Sequence, residues 1–172
     1  LRDVLAERLA RHVEADRRAQ QEFNEAFARF KATCAPVVRL TTNANPKMSR
    51  VNKQGVRVPT QYASLEDIAA VVDRPLLAEG ITYGWNEAAI TANGLLTRSF
   101  TLRHIGGYSP PPSASPPVPV EGTEAWKGAA GDRGDTSASP SQRYMIADTI
   151  AKRASMIAGL GLSQHYEDSD VA

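Results

Sequence analysis

The sequence predicts an α+β fold, in which an antiparallel sheet made of hairpins packs on helices and a long helix leads the chain. Three observations predict it. The first 34 residues are rich in Ala, Glu, Arg and Leu and contain neither Gly nor Pro. Residues 81–107 divide into two alternating segments about Asn93-Gly94, the strongest short hairpin signal. Residues 142–158 repeat apolar side chains at helical spacing. At 172 residues with 42% apolar content, the chain is sized for one domain with appended segments.

The N-terminal helical segment spans 1–35. Leu5, Leu9 and Val13 form one stripe, and Phe23, Phe27, Phe30 and Cys34 form another. Between them EADRRAQQE is polar all round, so it is either exposed helix or a break between two helices. The phenylalanine stripe is expected to dock on the core.

An α+β core is expected over 36–105. PVVRLTT (36–42) is β-branched and short, a strand candidate. A basic arm follows over 43–61, with Gly55 marking a turn before VRV. Residues 37–63 contain Arg39, Lys47, Arg50, Lys53 and Arg57 and no acid. Residues 64–87 set Arg74 against Glu66, Asp67, Asp73, Glu79 and Glu87, and the chain ends EDSDVA. The formal net charge of +1 therefore conceals a basic middle flanked by acid. Ser64-Leu-Glu-Asp has capping-box spacing and should open a helix burying Leu65, Ile68, Ala69, Val72 and Leu76. Pro75 should kink or split that helix, and Gly80 should end it.

A two-residue turn at Asn93-Gly94 would pair Thr91 with Leu96, Glu87 with Phe100, Trp85 with Leu102 and Tyr83 with His104. Tyr83, Trp85, Leu96, Phe100 and Leu102 then share an apolar face, opposite Thr82, Gly84, Asn86, Thr97, Ser99, Thr101 and Arg103. Residues 106–141 are dominated by Gly, Pro, Ser and Ala and are expected to form a flexible loop.

The core C-terminal helix is expected over 142–162, with an acidic tail at 163–172. At 100° per residue, Ile146, Ile150, Ala154, Ile157, Ala147, Ala158 and Ala151 occupy one arc, which should be the buried face. Lys152 points away from it and Arg153 sits at its edge, able to pack its stem and extend its guanidinium. Gly159 and Gly161 should end the helix.

Enzyme signals are poor. His12, His104 and His165 lie far apart, and the single Cys34 has no partner at zinc-ligand spacing. No glycine-rich phosphate loop stands between a strand and a helix. One cysteine suits a reducing compartment. With no charged-then-apolar leader and no apolar run near 18 residues, neither secretion nor membrane spanning is expected.

Gln142, Thr149, the pair Lys152-Arg153 and the Gly161-Leu162 ending, followed by YEDSD, resemble the signature helix of the ERF (essential recombination function) family. YASLEDIAAVVDRPLLAEGITYGW is similar to the family's Tyr-Ala-x-Leu segment, TLRHIGG to its Leu-x-His-x-x-Gly strand end, and FNEAFARFKATCAPVVR to its leading helix. The pieces follow in order from about Phe23 to Asp170, interrupted by the Pro-rich loop. Where the family has tyrosines flanking the basic pair, this chain has Ile150 and Ala154; where it has Gly-Ser, this chain has Met145-Ile146.

The resemblance implies a phage-type, ATP-independent, non-enzymatic protein that anneals complementary single strands in recombination. It implies a curved antiparallel sheet with a helix behind it, and rings or helical filaments of the chain on single-stranded DNA in the bacterial cytoplasm. A host single-strand-binding protein or a phage exonuclease would be a further partner; no cofactor, metal or membrane is implied. Phosphates would be gripped by Lys47, Arg50, Lys53 and Arg57 on the arm, with Arg98, Arg103, Lys152 and Arg153 lining a groove floor. Two of these have structural alternatives: an ion pair with the diagonal Glu87 for Arg98, and a partner acid or carbonyl at the helix edge for Arg153. Tyr83, Trp85 and Phe100 are better suited to the core than to stacking bases, whereas Tyr62, Tyr108 and Trp126 are freer. Two other classes stay open: a basic adaptor for an acidic protein, and a metal-dependent nuclease using the acidic clusters.

Overall fold

The structure, a computed structural model, describes residues 2–35, 37–38, 41–42, 49–51, 54–59, 61–126, 139–162 and 164–165; side chains are described for 2–35, 51, 54–57, 62–126 and 139–162. It is α+β. Helix α1 (Arg2–Thr33) runs unbroken through the polar middle, about 48 Å at the α-helical rise. Only its last third docks, burying Phe23, Ala26 and Phe30. Leu5, Leu9 and Val13 remain outside the core.

The segment after α1 forms short strands. β1 (Val37–Val38) pairs in parallel with β12 (Gln164–His165), which lies in the expected acidic tail. β2 (Thr41–Thr42) pairs with β5 (Gln61–Tyr62), so the excursion between them leaves and returns at one place. Within it β3 (Ser49–Val51) pairs with β4 (Arg57–Pro59), and Gly55 takes φ +78 in the turn. A side chain would be strained at that angle. Helix α2 (Leu65–Ala78) opens with the expected box: the Ser64 hydroxyl accepts from Asp67 N at 3.1 Å, and Ser64 N donates to Asp67 Oδ2 at 2.8 Å. Pro75 lies in the last turn and does not divide the helix, and Gly80 follows it at φ +67.

The hairpin keeps the expected faces but not the expected register. β6 (Ile81–Trp85) pairs with β9 (Ser99–His104) as Trp85–Phe100, Tyr83–Leu102 and Ile81–His104, two residues from the expected pairing. β7 (Ala89–Ile90) pairs with β8 (Leu95–Thr97) as Ile90–Leu96, one residue away from it. Two local features account for the shift. The loop has three residues, 92–94, closed by Thr91 N to Leu95 O at 2.9 Å with Gly94 at φ +92. Then Asn86 N donates to Ser99 O while Ala89 pairs with Thr97, so Glu87 and Ala88 together face Arg98. This is a β-bulge. The total slip along β6 and β9 is even, so every side chain stays on its own face.

Residues 106–126 do not form the expected flexible loop. β10 (Ser113–Ala114) pairs with β9 and β11 (Val118–Pro119) with β8, completing two small three-stranded antiparallel sheets. Ser115 N donates to Arg98 O at 2.7 Å, and Ser115 Oγ accepts from Arg98 N at 3.0 Å. Proline is tolerated here because the strand is at an edge. Residues 127–138 lie outside the described residues.

Helix α3 (Pro140–Leu160) begins at Ser139 with a second capping box, to Gln142, and Pro140 at its first position. Gly161 ends it in the left-handed conformation. Its buried face keeps Ala147 and Ala151 of the expected arc, with Ile157 packed against the core, but not Ile146 or Ile150. Ala147, Asp148, Ala151, Ser155, Met156 and Leu160 are buried, while Met145, Ile146 and Ile150 are 65%, 53% and 38% exposed. The cause is close approach. Ala147, Ala151, Ser155 and Gly159 repeat every four residues, and a Cβ at Gly159 would lie 2.5 Å from Phe100 Cδ1. Small residues bring this helix against the sheet, where isoleucines would hold it off.

One core joins Phe23 and Phe30 of α1, Ile68, Val72 and Leu76 of α2, Phe100 and Leu102 of β9, and Met156 and Leu160 of α3. Burying each large side chain contributes about 1.5–3 kcal/mol. A smaller cluster sets Leu96 on Ala147 and Ala151. Polar ties fix the helices. Arg29 Nε meets Glu79 Oε2 at 2.7 Å. Lys31 Nζ donates to Leu160 O at 3.0 Å and to Gly161 O, so one helix's last turn caps another's carbonyls.

Candidate nucleic-acid interface

The eight expected phosphate-binding cations fall into three groups. Lys47 and Lys53 lie outside the described residues, as does the side chain of Arg50, whose backbone pairs with Val58 in the β3–β4 ribbon. Arg57 is exposed on β4 opposite Val51. Arg103 is exposed on β9 opposite Thr82, on the polar face. Arg153 is half-buried, its guanidinium 4.8 Å from the centroid of the Tyr62 ring.

Arg98 and Lys152 are differently placed. Arg98 Nε reaches Asp148 Oδ1 at 2.5 Å, Lys152 Nζ reaches Asp148 Oδ2 at 2.9 Å, and Arg98 Nη1 donates to Asn86 O at 2.6 Å. The three side chains are 16%, 29% and 12% exposed for Arg98, Lys152 and Asp148. Asp148, not Glu87, is thus the acid that Arg98 contacts. Burial pushes the Asp148 carboxyl up, but hydrogen bonds from Arg98 and Lys152, with their charges, outweigh it and hold it below its ordinary range. The hydrogen bond that Arg98 donates to Asp148 holds Arg98 protonated more firmly still. The bulge explains the geometry: Arg98 faces two residues, and its guanidinium bridges the distorted ladder at Asn86 to α3. Arg98 thereby ties the sheet to α3, and Lys152 holds the same carboxylate from within the helix.

Asp148 was absent from the sequence-derived set. Its spacing of four from Lys152 was the available signal. An acid within an apolar repeat offers no sign of its second partner, Arg98, which is fifty residues away.

The aromatics also sort by position. Phe100 is buried, and Tyr83 and Trp85 pack on it edge-on or tilted at 5.5 and 5.6 Å while half-buried. Tyr83 donates its hydroxyl to Asp73 Oδ1 at 2.6 Å; burial first, then that bond, pushes its pKa up to about 12. Trp85 Nε1 donates to Lys152 O at 3.2 Å, and Lys152 Nζ lies 6.0 Å from its ring centroid. Tyr108 packs on Phe23 at 5.4 Å, and Trp126 is half-buried beside Thr123. The adjacent cations of α3 therefore each lie by a ring delivered from elsewhere, Tyr62 from β5 and Trp85 from β6.

Tyr62 is also the foot of the basic excursion. Because β2 and β5 pair, the chain carrying Lys47, Arg50, Lys53 and Arg57 starts and finishes beside the Tyr62–Arg153 contact. Arginine both packs on aromatic rings and matches phosphate geometry, and an aromatic ring can also stack a base.

Among the described residues no group of three or more His, Cys, Asp or Glu is arranged to hold a metal ion, and no helix is long and apolar enough to cross a membrane. The chain matches no protein-family model, no curated protein and no solved structure.

Proposed function

We propose that the chain binds single-stranded DNA and anneals complementary strands without ATP, acting as an oligomer in recombination within a bacterial cell. The observation that carries this is the Arg153–Tyr62 contact at the foot of the basic excursion. It joins a cation and a stackable ring to the one stretch of sequence with five cations and no acid. Backbone neutralisation by the arm with stacking at its foot is what a sequence-tolerant single-strand site needs. The order of ERF-like segments supports the same reading, including the annealing-protein likeness of its sheet and helices. Arg57, Arg153 and the arm cations Lys47, Arg50 and Lys53 carry the contact at this foot; Arg103 stands on the polar face of the sheet, and Arg98 and Lys152 are engaged by Asp148. A host single-strand-binding protein or a recombination exonuclease would act on the same strands.

Fluorescence polarisation of a labelled single strand, titrated at two salt concentrations, tests the binding step. Tight binding at low salt that weakens steeply at high salt is expected. Replacing Lys47, Arg50 and Lys53 together by Gln should weaken binding and reduce the salt slope by about 2–3. Binding unchanged by that triple replacement removes the arm from the site, and no binding at low salt ends the proposal.

A further inference from the structure

We propose that the projecting half of α1 pairs antiparallel with the same helix of a second copy, about a two-fold axis at Leu9. Leu5, Leu9 and Val13 are 59%, 66% and 60% exposed, an apolar strip on a helix that has left the core. Steps of four and three lead from the docked Phe30, Ala26 and Phe23 through Ala19, Asp16 and His12 to Leu9, Leu5 and Arg2, the spacing of a two-helix seam. The strip therefore lies in line with the face that α1 buries against its own body, separated from it by the polar positions Asp16 and His12.

Charge selects the occupant and its direction. The same seam carries Asp16 above Val13 and Arg2 below Leu5. A second α1 running antiparallel about Leu9 sets Asp16 opposite Arg2 of the second copy, and Arg2 opposite its Asp16, closing the apolar centre at both ends. A parallel pair would set Asp16 on Asp16 and Arg2 on Arg2, and like charges across a seam are disfavoured. The body leaves room for this arrangement. Beside Asp16 a groove of about 690 Å³ lies between α1 and residues 106–109, on the path that Arg2 and Leu5 of the second copy would take. The surface is isologous, as a two-fold dimer requires. It gives the assembly part of the proposed function a location, and it rests on that reading only for its purpose, since the pairing needs no DNA.

Light scattering on the full chain, without DNA, tests it. The wild type should be dimeric or built from dimers, and Leu9→Glu should release monomers with unchanged circular dichroism and thermal unfolding. Asp16→Arg should weaken dimerisation tenfold or more, and Arg2→Asp added to it should restore it. Spin labels at position 18 should lie at least about 27 Å apart along the paired helices, against about 10 Å for a parallel pair. A wild type that stays monomeric overturns the proposal. So does an assembly that survives Leu9→Glu but dissociates with Ile146→Glu, which would place the contact on the exposed face of α3. Because no DNA is present, failure here leaves single-strand binding untouched, and loss of DNA binding leaves the pairing untouched.

Discussion

Asp148 holds two cations on a helix face otherwise lined by Ala147, Ala151 and Ser155. Replacing it by Asn strips the charge from a site that keeps both cations. The cost should be about 2–3 kcal/mol, below that of a fully buried pair because Lys152 is still 29% exposed. Acid should reproduce the loss. A carboxyl with a lowered folded pKa contributes stability that is present above its unfolded value, about pH 4, and disappears as pH falls through the folded value. Urea unfolding from pH 3 to pH 7 should show this decline in the wild type and a flatter acid limb in Asp148→Asn. Equal acid limbs in the two proteins would mean that Asp148 is not the titrating brace. At this scale the sequence was least legible. Composition identified Arg98 and Lys152 as cations, but their shared acid lies on another element, and only the fold brings Arg98 to it.

Elements were read well where the signal is local. Both ends of α2 follow from Ser64, Asp67 and Gly80, and α1 from the absence of helix breakers. The hairpin faces follow from alternation, while the register was missed because a three-residue loop and the Glu87–Ala88 bulge leave no apolar signature. Helix α3 was misread for a sharper reason. Hydrophobicity ranks Ile146 and Ile150 above Ala151 and Gly159, but the helix packs by closeness, and closeness needs small side chains. Ala151→Leu should therefore destabilise the protein by about 1–3 kcal/mol through overpacking against Leu96. Ile146→Ser should change stability by no more than about 0.5 kcal/mol, as at other exposed sites. Thermal or urea unfolding of the two variants reads the difference, and the opposite ranking would restore the isoleucine face to the core.

Across the molecule, the α+β body carries three features, two of them side by side on α3. The brace of Arg98, Asp148 and Lys152 locks α3 to the sheet. The basic excursion returns to Tyr62, where Arg153 meets it. Helix α1 carries its seam beyond the core. The charge pattern made the second of these legible from sequence, and the ERF-like segments gave it a function to expect. Which cations meet an acid was not legible, because a charge in sequence does not reveal whether a carboxylate waits across the fold. Annealing itself is the most direct test of the account. Complementary labelled oligonucleotides, mixed with the protein in magnesium and without ATP, should form duplex faster than the strands do alone. The acceleration should be lost when Lys47, Arg50 and Lys53 are replaced by Gln. Duplex formation at the uncatalysed rate, or degradation of the strands, would contradict it.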